Sequence, residues 1–159
     1  MKIKIICVGK LKEKYLKDGI AEYVKRLGRF ASVDIIELAD EKIPDNASPA
    51  EYEKIKLSEG DKILAKIANN EYVVSLCIEG ENLSSEEFAQ KISHITLKGN
   101  STVDFIIGGS LGLCDKVKAR SDFKLSFSKM TFPHQLMRLI LCEQIYRAFK
   151  INANEQYHK

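Results

Sequence analysis

The chain lacks the features that mark several protein classes. Its four cysteines, Cys7, Cys77, Cys114 and Cys142, form no C-x-x-C pair and have no histidine at a metal-ligand spacing. Neither a metal site nor a disulfide framework is therefore predicted. No stretch approaches the roughly 20 apolar residues of a membrane span. A net charge of +3 permits an RNA partner without requiring one. We expect a cytoplasmic protein that binds neither metal nor membrane.

What is present predicts a single α/β domain over residues 1–159. The apolar fraction of 45% and the charged fraction of 30% are typical of globular proteins. The opening MKIKIICVGK fits a first strand rather than a signal peptide, because charges follow its apolar run at once. Strands are predicted at 3–8, 33–38, 72–78, 103–107 and 123–127. With helices between them, they predict an open, mostly parallel sheet covered on both faces.

The predicted helices carry recognisable start and stop signals. The first has an apolar face from Leu16 to Leu27 and ends at Gly28. The second opens with Ser48-Pro49-Ala50-Glu51, a capping box with proline at the first helical position, and is predicted to reach about residue 68. A second capping box, Ser84 with Glu87, opens the third.

The last helix is more apolar than the surface of one small domain requires. From Leu136 to Cys142 every residue except Arg138 is apolar, whereas a surface helix normally shows a stripe. We therefore expect one face of this helix in the core and another against a second subunit. The polar turn that precedes the helix would lie beside this interface, and we predict a ligand site there.

Two strand ends close on glycine. Gly108-Gly109-Ser110-Leu111-Gly112 follows a predicted strand, at the edge of the sheet where α/β proteins bind ligands. The spacing is neither G-x-G-x-x-G nor that of a P-loop. A glycine-rich turn without a ligand fits this loop equally well. The strand end from Leu76 to Gly80 would form another wall of the same crevice.

The turn before the last helix combines aromatic and polar side chains. It reads Phe127-Ser128-Lys129-Met130-Thr131-Phe132, with apolar walls and hydrogen-bonding groups suited to a nucleoside pocket. Taken alone, the turn fits better with a loop whose phenylalanines and methionine plug the core.

Basic and titratable residues follow this turn. His134 and Arg138 lie one helical turn apart and would share a face that grips phosphate and base; a capping histidine and snorkelling arginines are equally consistent with the spacing. Arg147 lies further along the same helix. The tail Tyr157-His158-Lys159 would form either an RNA-contacting flap or a frayed end.

Together these segments resemble one known family. IIGGSLGL, LSFSKMTFPHQLMR, EQIYRAFKI and the terminal YHK are similar to the RlmH (YbeA) family, SPOUT-class methyltransferases of bacterial large-subunit ribosomal RNA. The opening KIICVGKLKEKY fits the same pattern, so the resemblance covers essentially the whole chain.

The resemblance implies a specific fold and activity. It implies a C-terminal trefoil knot, a homodimer and a bound S-adenosylmethionine near the subunit interface. Methylation would occur at N3 of a pseudouridine in helix 69, on assembled ribosomes. The cofactor contacts carried over are Leu76, Gly108, Phe127, Ser128, Lys129, Met130, Thr131 and Phe132.

The implied chemistry needs a base and a means of holding RNA. The acceptor N3–H must lose its proton, which favours His134 or His158 as the base. Tyr157 and His158 would belong to a tail that completes the active site. Arg138, Arg147 and Lys159 are predicted to contact RNA.

Three other functions remain open from the sequence. A tRNA methyltransferase of the same class would have the same cofactor site. A ribosome-binding factor would use the basic helix without a cofactor. A nucleotide-binding metabolic enzyme would use the glycine loop for phosphate, but it leaves the aromatic turn and the tail unexplained.

Overall fold

A computed structural model describes residues 1–159 as five strands that alternate with five helices. The strands are β1 Lys2–Val8, β2 Ser32–Leu38, β3 Tyr72–Asn82, β4 Thr102–Ile107 and β5 Phe123–Ser126. The helices are α1 Lys14–Leu27, α2 Pro49–Leu64, α3 Ser85–Leu97, α4 Asp115–Arg120 and α5 His134–Asn152. All strand pairs are parallel, in the order β2-β1-β4-β3-β5. The predicted α/β class and parallel sheet are confirmed.

Helices cover both faces of the sheet because the side chains of a strand alternate between its faces. Ile3, Ile5 and Cys7 of β1 belong to an apolar cluster that also includes residues of α1, α3 and α5. Ile6 and Val8 belong to a second cluster, with residues of α2 and α4. The central strands are therefore buried on both sides, as expected for a parallel sheet.

Local signals set most helix boundaries. Both capping boxes form, with Glu51 N donating to Ser48 Oγ at 3.2 Å and Glu87 N to Ser84 Oγ at 3.1 Å. The first helix ends before Gly28 as predicted. The second ends at Leu64 rather than near residue 68, because the amides beyond it bond differently: Lys66 N donates only three residues back, to Ile63, and Ala68 N donates to the Glu71 carboxylate at 2.6 Å.

Two features of the carboxyl half differ from the sequence prediction. Strand β3 continues to Asn82, with a shift of register against β5 between Leu76 and Glu81. Helix α4 was not predicted at all. It has six residues, of which Val117 alone is buried, so it has no apolar periodicity to detect.

The last helix packs one side into the core. Leu141, Cys142, Ile145 and Ala148 are buried there, whereas Leu136 and several neighbours remain partly exposed. The expectation that α5 contributes one face to the core is confirmed. The second subunit and the trefoil knot remain predictions. None of the five helices combines the length and hydropathy needed to cross a membrane.

Candidate functional site

A cavity of about 330 Å³ opens at the edge of the sheet where β3, β4 and β5 end. This volume is within the range of small-molecule sites, about 300–1,000 Å³. Seven of the eight residues predicted to bind the cofactor line it: Leu76, Gly108, Phe127, Ser128, Met130, Thr131 and Phe132. Lys129 is exposed and does not line the cavity. The structure thus brings the glycine loop and the aromatic turn to one place, although their residues are distant in sequence.

The irregular part of β3 forms one wall. Between Leu76 and Glu81 the strand leaves its register with β5, and Cys77, Ile78 and Glu79 from this segment line the cavity. Bulges of this kind redirect side chains at the edges of sheets. The sequence predicts a wall at this strand end, but it does not indicate which side chains form it.

The glycine loop forms a second wall. The loop closes a tight turn, in which Gly112 N donates to the Gly109 carbonyl at 3.0 Å. A Cβ at Gly108 would lie 2.9 Å from the carbonyl carbon of Gly112, a separation that side chains do not adopt. Glycine is therefore required at position 108 for the loop to fold back on itself beside the cavity.

The aromatic turn forms the third wall and a partly exposed rim. Phe127 packs against the main apolar cluster, whereas Met130 and Phe132 are exposed at the mouth. Met130 N donates to Ser128 Oγ at 3.0 Å, which fixes the middle of the turn. The turn therefore does both things considered from the sequence: Phe127 contributes to the core, and the whole turn except Lys129 lines a pocket.

His134 faces the cavity from the first residue of α5. Burial lowers the pKa of its imidazole, the nearby Arg138 guanidinium lowers it further, and Asp40 opposes them. The neutral imidazole, which has a free lone pair, therefore predominates at pH 7. This position is suited to accepting a proton from a group in the cavity.

The prediction that Arg138 contacts RNA is wrong for this structure. Its side chain is fully buried and bonded within the protein. It donates to Glu37 at 2.8 Å and to the carbonyls of Val8 and Gly9 at 3.2 and 2.6 Å. A guanidinium with these partners ties α5 to the ends of β1 and β2, and it has no face open to a nucleic acid.

Two lysines and an acidic residue that sequence analysis missed also lie at the cavity. Lys118 of α4 pairs with Glu79, which raises the pKa of the lysine and lowers that of the carboxyl. Lys56 of α2 lies within 3.3 Å of Glu53. Their spacing along the sequence gives no signal. No three His, Cys, Asp or Glu side chains come together as a metal-binding group.

The tail residues lie away from the cavity, docked on α5 and α3. The Tyr157 hydroxyl donates to Glu143 at 3.1 Å, and the Arg147 guanidinium stands 4.7 Å from the centre of the Tyr157 ring. Burial raises the pKa of the Tyr157 phenol, as do Tyr23 and Glu143 beside it. Neither Tyr157 nor His158 lines the cavity, whereas His134 does. Within one protomer, the tail residues are therefore separated from His134.

The bonds of His158 define the tautomer of its ring in this docked position. Arg147 Nη1 lies 3.2 Å from its Nδ1, and Glu86 Oε1 lies 2.8 Å from its Nε2. Because a guanidinium only donates, Nδ1 must accept, and Nε2 must carry the proton given to Glu86. The lone pair of His158 is thus occupied. The exposed Lys159 ends the chain beside it.

A second cavity of about 180 Å³ adjoins the first, with which it shares Leu125, Ser126 and Phe127. Ser84 and Ser85, which precede Glu86, line one side, and Phe127 lines the other. Phe127 thus contacts both cavities. The tail contacts α3 at Glu86, next to the serines of this second cavity, and it does not reach the larger cavity.

Comparison with known proteins identifies the family. The profile described as "Predicted SPOUT methyltransferase" matches residues 1–158. The chain is 62% identical to Ribosomal RNA large subunit methyltransferase H of Streptococcus uberis and 60% identical to that of Clostridioides difficile, each over 100% of both chains. A probable methylase family protein from Haemophilus influenzae Rd KW20 shares the fold, with a TM-score of 0.55 and 13% identity over 99% of this chain and 70% of its own. The resemblance seen in the sequence is confirmed, and the chain belongs to the SPOUT methyltransferases, in the RlmH family.

Proposed function

We propose that this protein is an S-adenosylmethionine-dependent methyltransferase of large-subunit ribosomal RNA. Its substrate would be a pseudouridine of helix 69, methylated at N3 on the assembled ribosome in the cytoplasm. The observation that carries the proposal is one cavity lined by both family motifs, in a chain 62% identical over its full length to a ribosomal RNA methyltransferase.

The cavity fits the proposed cofactor. Its apolar walls and volume of about 330 Å³ suit an adenosine, and the tight glycine turn at Gly108 keeps the backbone close to the ligand. The residues that would hold it are Leu76, Gly108, Phe127, Ser128, Met130, Thr131 and Phe132. When bound, the sulfonium supplies an electrophilic methyl group for direct displacement.

The residues of this chain would then align the acceptor base and remove the proton from its N3 atom. Methyl transfer requires an in-line approach, so rigid walls on both sides of the reacting atoms contribute most. The N3–H of a pseudouridine must be deprotonated for the nitrogen to attack. His134 is the better-placed base, because it lines the cavity with a lowered pKa. In the docked tail, the lone pair of His158 is already engaged.

The tail would act on the substrate after leaving its docked position or from a second subunit. Arg147 now contacts Glu143 and His158, and it would become available to phosphate only if the tail moved. The partly exposed Leu136 and Ile140, which belong to neither apolar cluster, support a homodimer interface along α5. The trefoil knot belongs to the same proposal.

A tRNA methyltransferase of the same class is the second candidate, because its cavity would be the same. The modest net charge of +3 favours the ribosome, where RNA shape supplements electrostatic attraction. A ribosome-binding factor without a cofactor would leave the cavity and its tight glycine turn without a purpose.

The test is transfer of labelled methyl from S-adenosylmethionine to ribosomes from a strain that lacks the gene, followed by mass spectrometry of the digested RNA. A methylated pseudouridine in helix 69 would establish enzyme, cofactor and substrate together. Transfer to tRNA but not to ribosomes would favour the second candidate. Binding of S-adenosylmethionine without transfer to either RNA would limit the conclusion to a cofactor-binding protein.

A further inference from the structure

Glu59 is a buried carboxylate without a hydrogen-bond donor. It lies on α2 with 6% of its surface exposed, and its Oε2 atom has no partner. Burying an unpaired carboxylate destabilises a fold, so a residue of this kind calls for an explanation. Nothing in the packing of α2 supplies one.

The carboxylate lies directly behind one wall of the main cavity. A Cβ placed on Gly109 would stand 2.9 Å from Glu59 Oε2 and 3.2 Å from Val8 Cγ1. Gly109 itself lines the cavity. The absence of a side chain at position 109 therefore lets the carboxylate approach the cavity with only the glycine backbone between them.

The charges around Glu59 are mainly negative. Burial raises the pKa of its carboxyl, and Asp40 and Glu41 raise it further, while Lys62 opposes them. Lys62 is already paired with Glu41 at 2.6 Å. Asp40 also raises the pKa of His134, which faces the cavity, so its negative charge acts on a group of the cavity as well.

The positive side chains at the cavity are already paired with other carboxylates and do not neutralise Glu59. The cavity is lined by Lys118 and Lys56, but Lys118 is paired with Glu79 and Lys56 with Glu53. Glu59 has no such partner. The raised pKa of Glu59 favours its protonated form, and a cation held at the glycine loop favours the carboxylate instead. The position of Glu59 behind the loop therefore favours a positively charged ligand over a neutral one.

We propose that Glu59 makes the cavity select the cationic methyl donor over its neutral product. This inference rests on the proposed function. The two ligands share the nucleoside and the amino-acid portion, but the donor has a sulfonium and the product a thioether. Negative charge behind the glycine loop stabilises the first and not the second, so it helps the product leave. Glu59 is thus a specificity residue that acts through the loop without touching the reacting atoms.

The test is the ratio of dissociation constants for S-adenosylhomocysteine and S-adenosylmethionine, measured by calorimetry on the full-length protein. Glu59→Gln keeps the shape and removes the charge. We expect the ratio to fall roughly tenfold, the size expected for unit charges about 10 Å apart in a partly screened site. Asp61→Asn is the matched control, since it removes an exposed charge on the same helix and is expected to change the ratio less than about twofold.

Unfolding of the free protein separates this role from a structural one. Because Glu59 is unpaired, the glutamine variant is expected to be at least as stable as the wild type. An unchanged ratio in Glu59→Gln, with both ligands bound, would overturn the inference and leave the proposed function intact. Failure of the wild type to bind either ligand would overturn both. If the glutamine variant does not fold, Glu59→Met removes the same charge and gives the same readout.

Discussion

Nη1 of Arg138 donates to Oε2 of Glu37 across 2.8 Å, between two elements that are 101 residues apart in sequence. Its other terminal nitrogen donates to the carbonyls that end β1, at Val8 and Gly9. One side chain of α5 thus joins the ends of two strands. His134 precedes it by one helical turn and faces the cavity, so these bonds anchor the start of the helix that presents the proposed base.

Arg138→Met is expected to destabilise the fold by about 3 kcal/mol, the lower end of the cost of breaking a buried ion pair. The two carbonyls lose their donor. Glu37 keeps its bond from the Leu11 amide at 2.6 Å and some contact with water, which limits the loss. Urea unfolding measures the change. In the control Arg29→Met, an exposed pair with Glu155 is lost, and less than about 1 kcal/mol is expected. Equal losses in both variants would contradict this account of Arg138.

His134→Gln is expected to lower the rate of methyl transfer by about 10²–10⁴-fold, the usual contribution of a positioned base. The cofactor should still bind within a few-fold of the wild-type affinity, because the apolar walls of the cavity are unchanged. Single-turnover transfer to ribosomes and calorimetry with S-adenosylmethionine measure the two quantities. His94→Gln, an exposed substitution on α3, serves as the control and should retain the full rate.

The pH profile gives an independent check on His134. Its pKa is lowered by burial and by Arg138, so the neutral base is half-formed at a pH below the ordinary value of about 6.5. The single-turnover rate should therefore rise with pH through a midpoint below 6.5, and His134→Gln should remove this limb. A limb that survives in the variant would assign the titration to another group.

Substitutions in the tail should affect the RNA substrate rather than the cofactor. Tyr157→Phe removes the hydroxyl that contacts Glu143, and His158→Ala removes contacts to Arg147 and Glu86. Neither residue lines the cavity, so we expect reduced methylation, at least tenfold for His158→Ala, with cofactor affinity unchanged. Gln156→Ala, an exposed neighbour, is the control. A parallel loss of cofactor binding would show that the tail is structural.

The sequence predicts those parts of the fold that depend on local signals. The capping boxes at Ser48 and Ser84 and the continuous apolar strands need only neighbouring residues to be recognised. The order of the strands depends on contacts between distant segments, and the sequence did not indicate it. Helix α4 was not predicted, because six residues with one buried side chain show no hydrophobic periodicity.

The same distinction explains the site. The glycine loop and the aromatic turn were recognised because each is a contiguous motif, and the parallel sheet brings both to the same edge. Arg138 was misread because a lone arginine on an apolar helix looks the same whether its partner is RNA or a carboxylate 101 residues away. Glu59 gave no signal, since a glutamate inside an amphipathic helix reads as solvent-exposed.

Intact ribosomes should be far better substrates than ribosomal RNA stripped of protein. The chain has a net charge of +3 and 159 residues, and isolated helix 69 offers few contacts to so small and weakly basic a protein. Recognition would then depend on the shape of the assembled particle. Initial rates of methyl transfer at equal RNA concentration and one salt concentration make the comparison. Equal rates on both substrates would refute this dependence.

Asp104 should make the stability of the fold depend on pH. Its carboxyl on β4 is fully buried beside Lys4, and burial together with Glu71 raises its pKa to about 6. The unfolded chain releases this proton near pH 4, so the native state holds it more tightly. Folding is therefore favoured as the pH falls from 6 towards 4, and this advantage disappears as the pH rises through 6.

Asp104→Asn stays neutral at every pH. The wild type loses stability as Asp104 ionises, so the free energy of unfolding of the variant should increase relative to that of the wild type as the pH rises from 4.5 to 7.5. Urea midpoints at several pH values in this interval measure the difference. In the control Asp34→Asn, an exposed carboxylate paired with Lys2 at 2.8 Å is removed, and the difference from wild type should stay nearly constant. A constant difference for Asp104→Asn as well would mean that the buried carboxyl does not titrate in this interval. The charge beside Lys4 would then be permanent, and replacing it should destabilise the protein equally at pH 4.5 and 7.5.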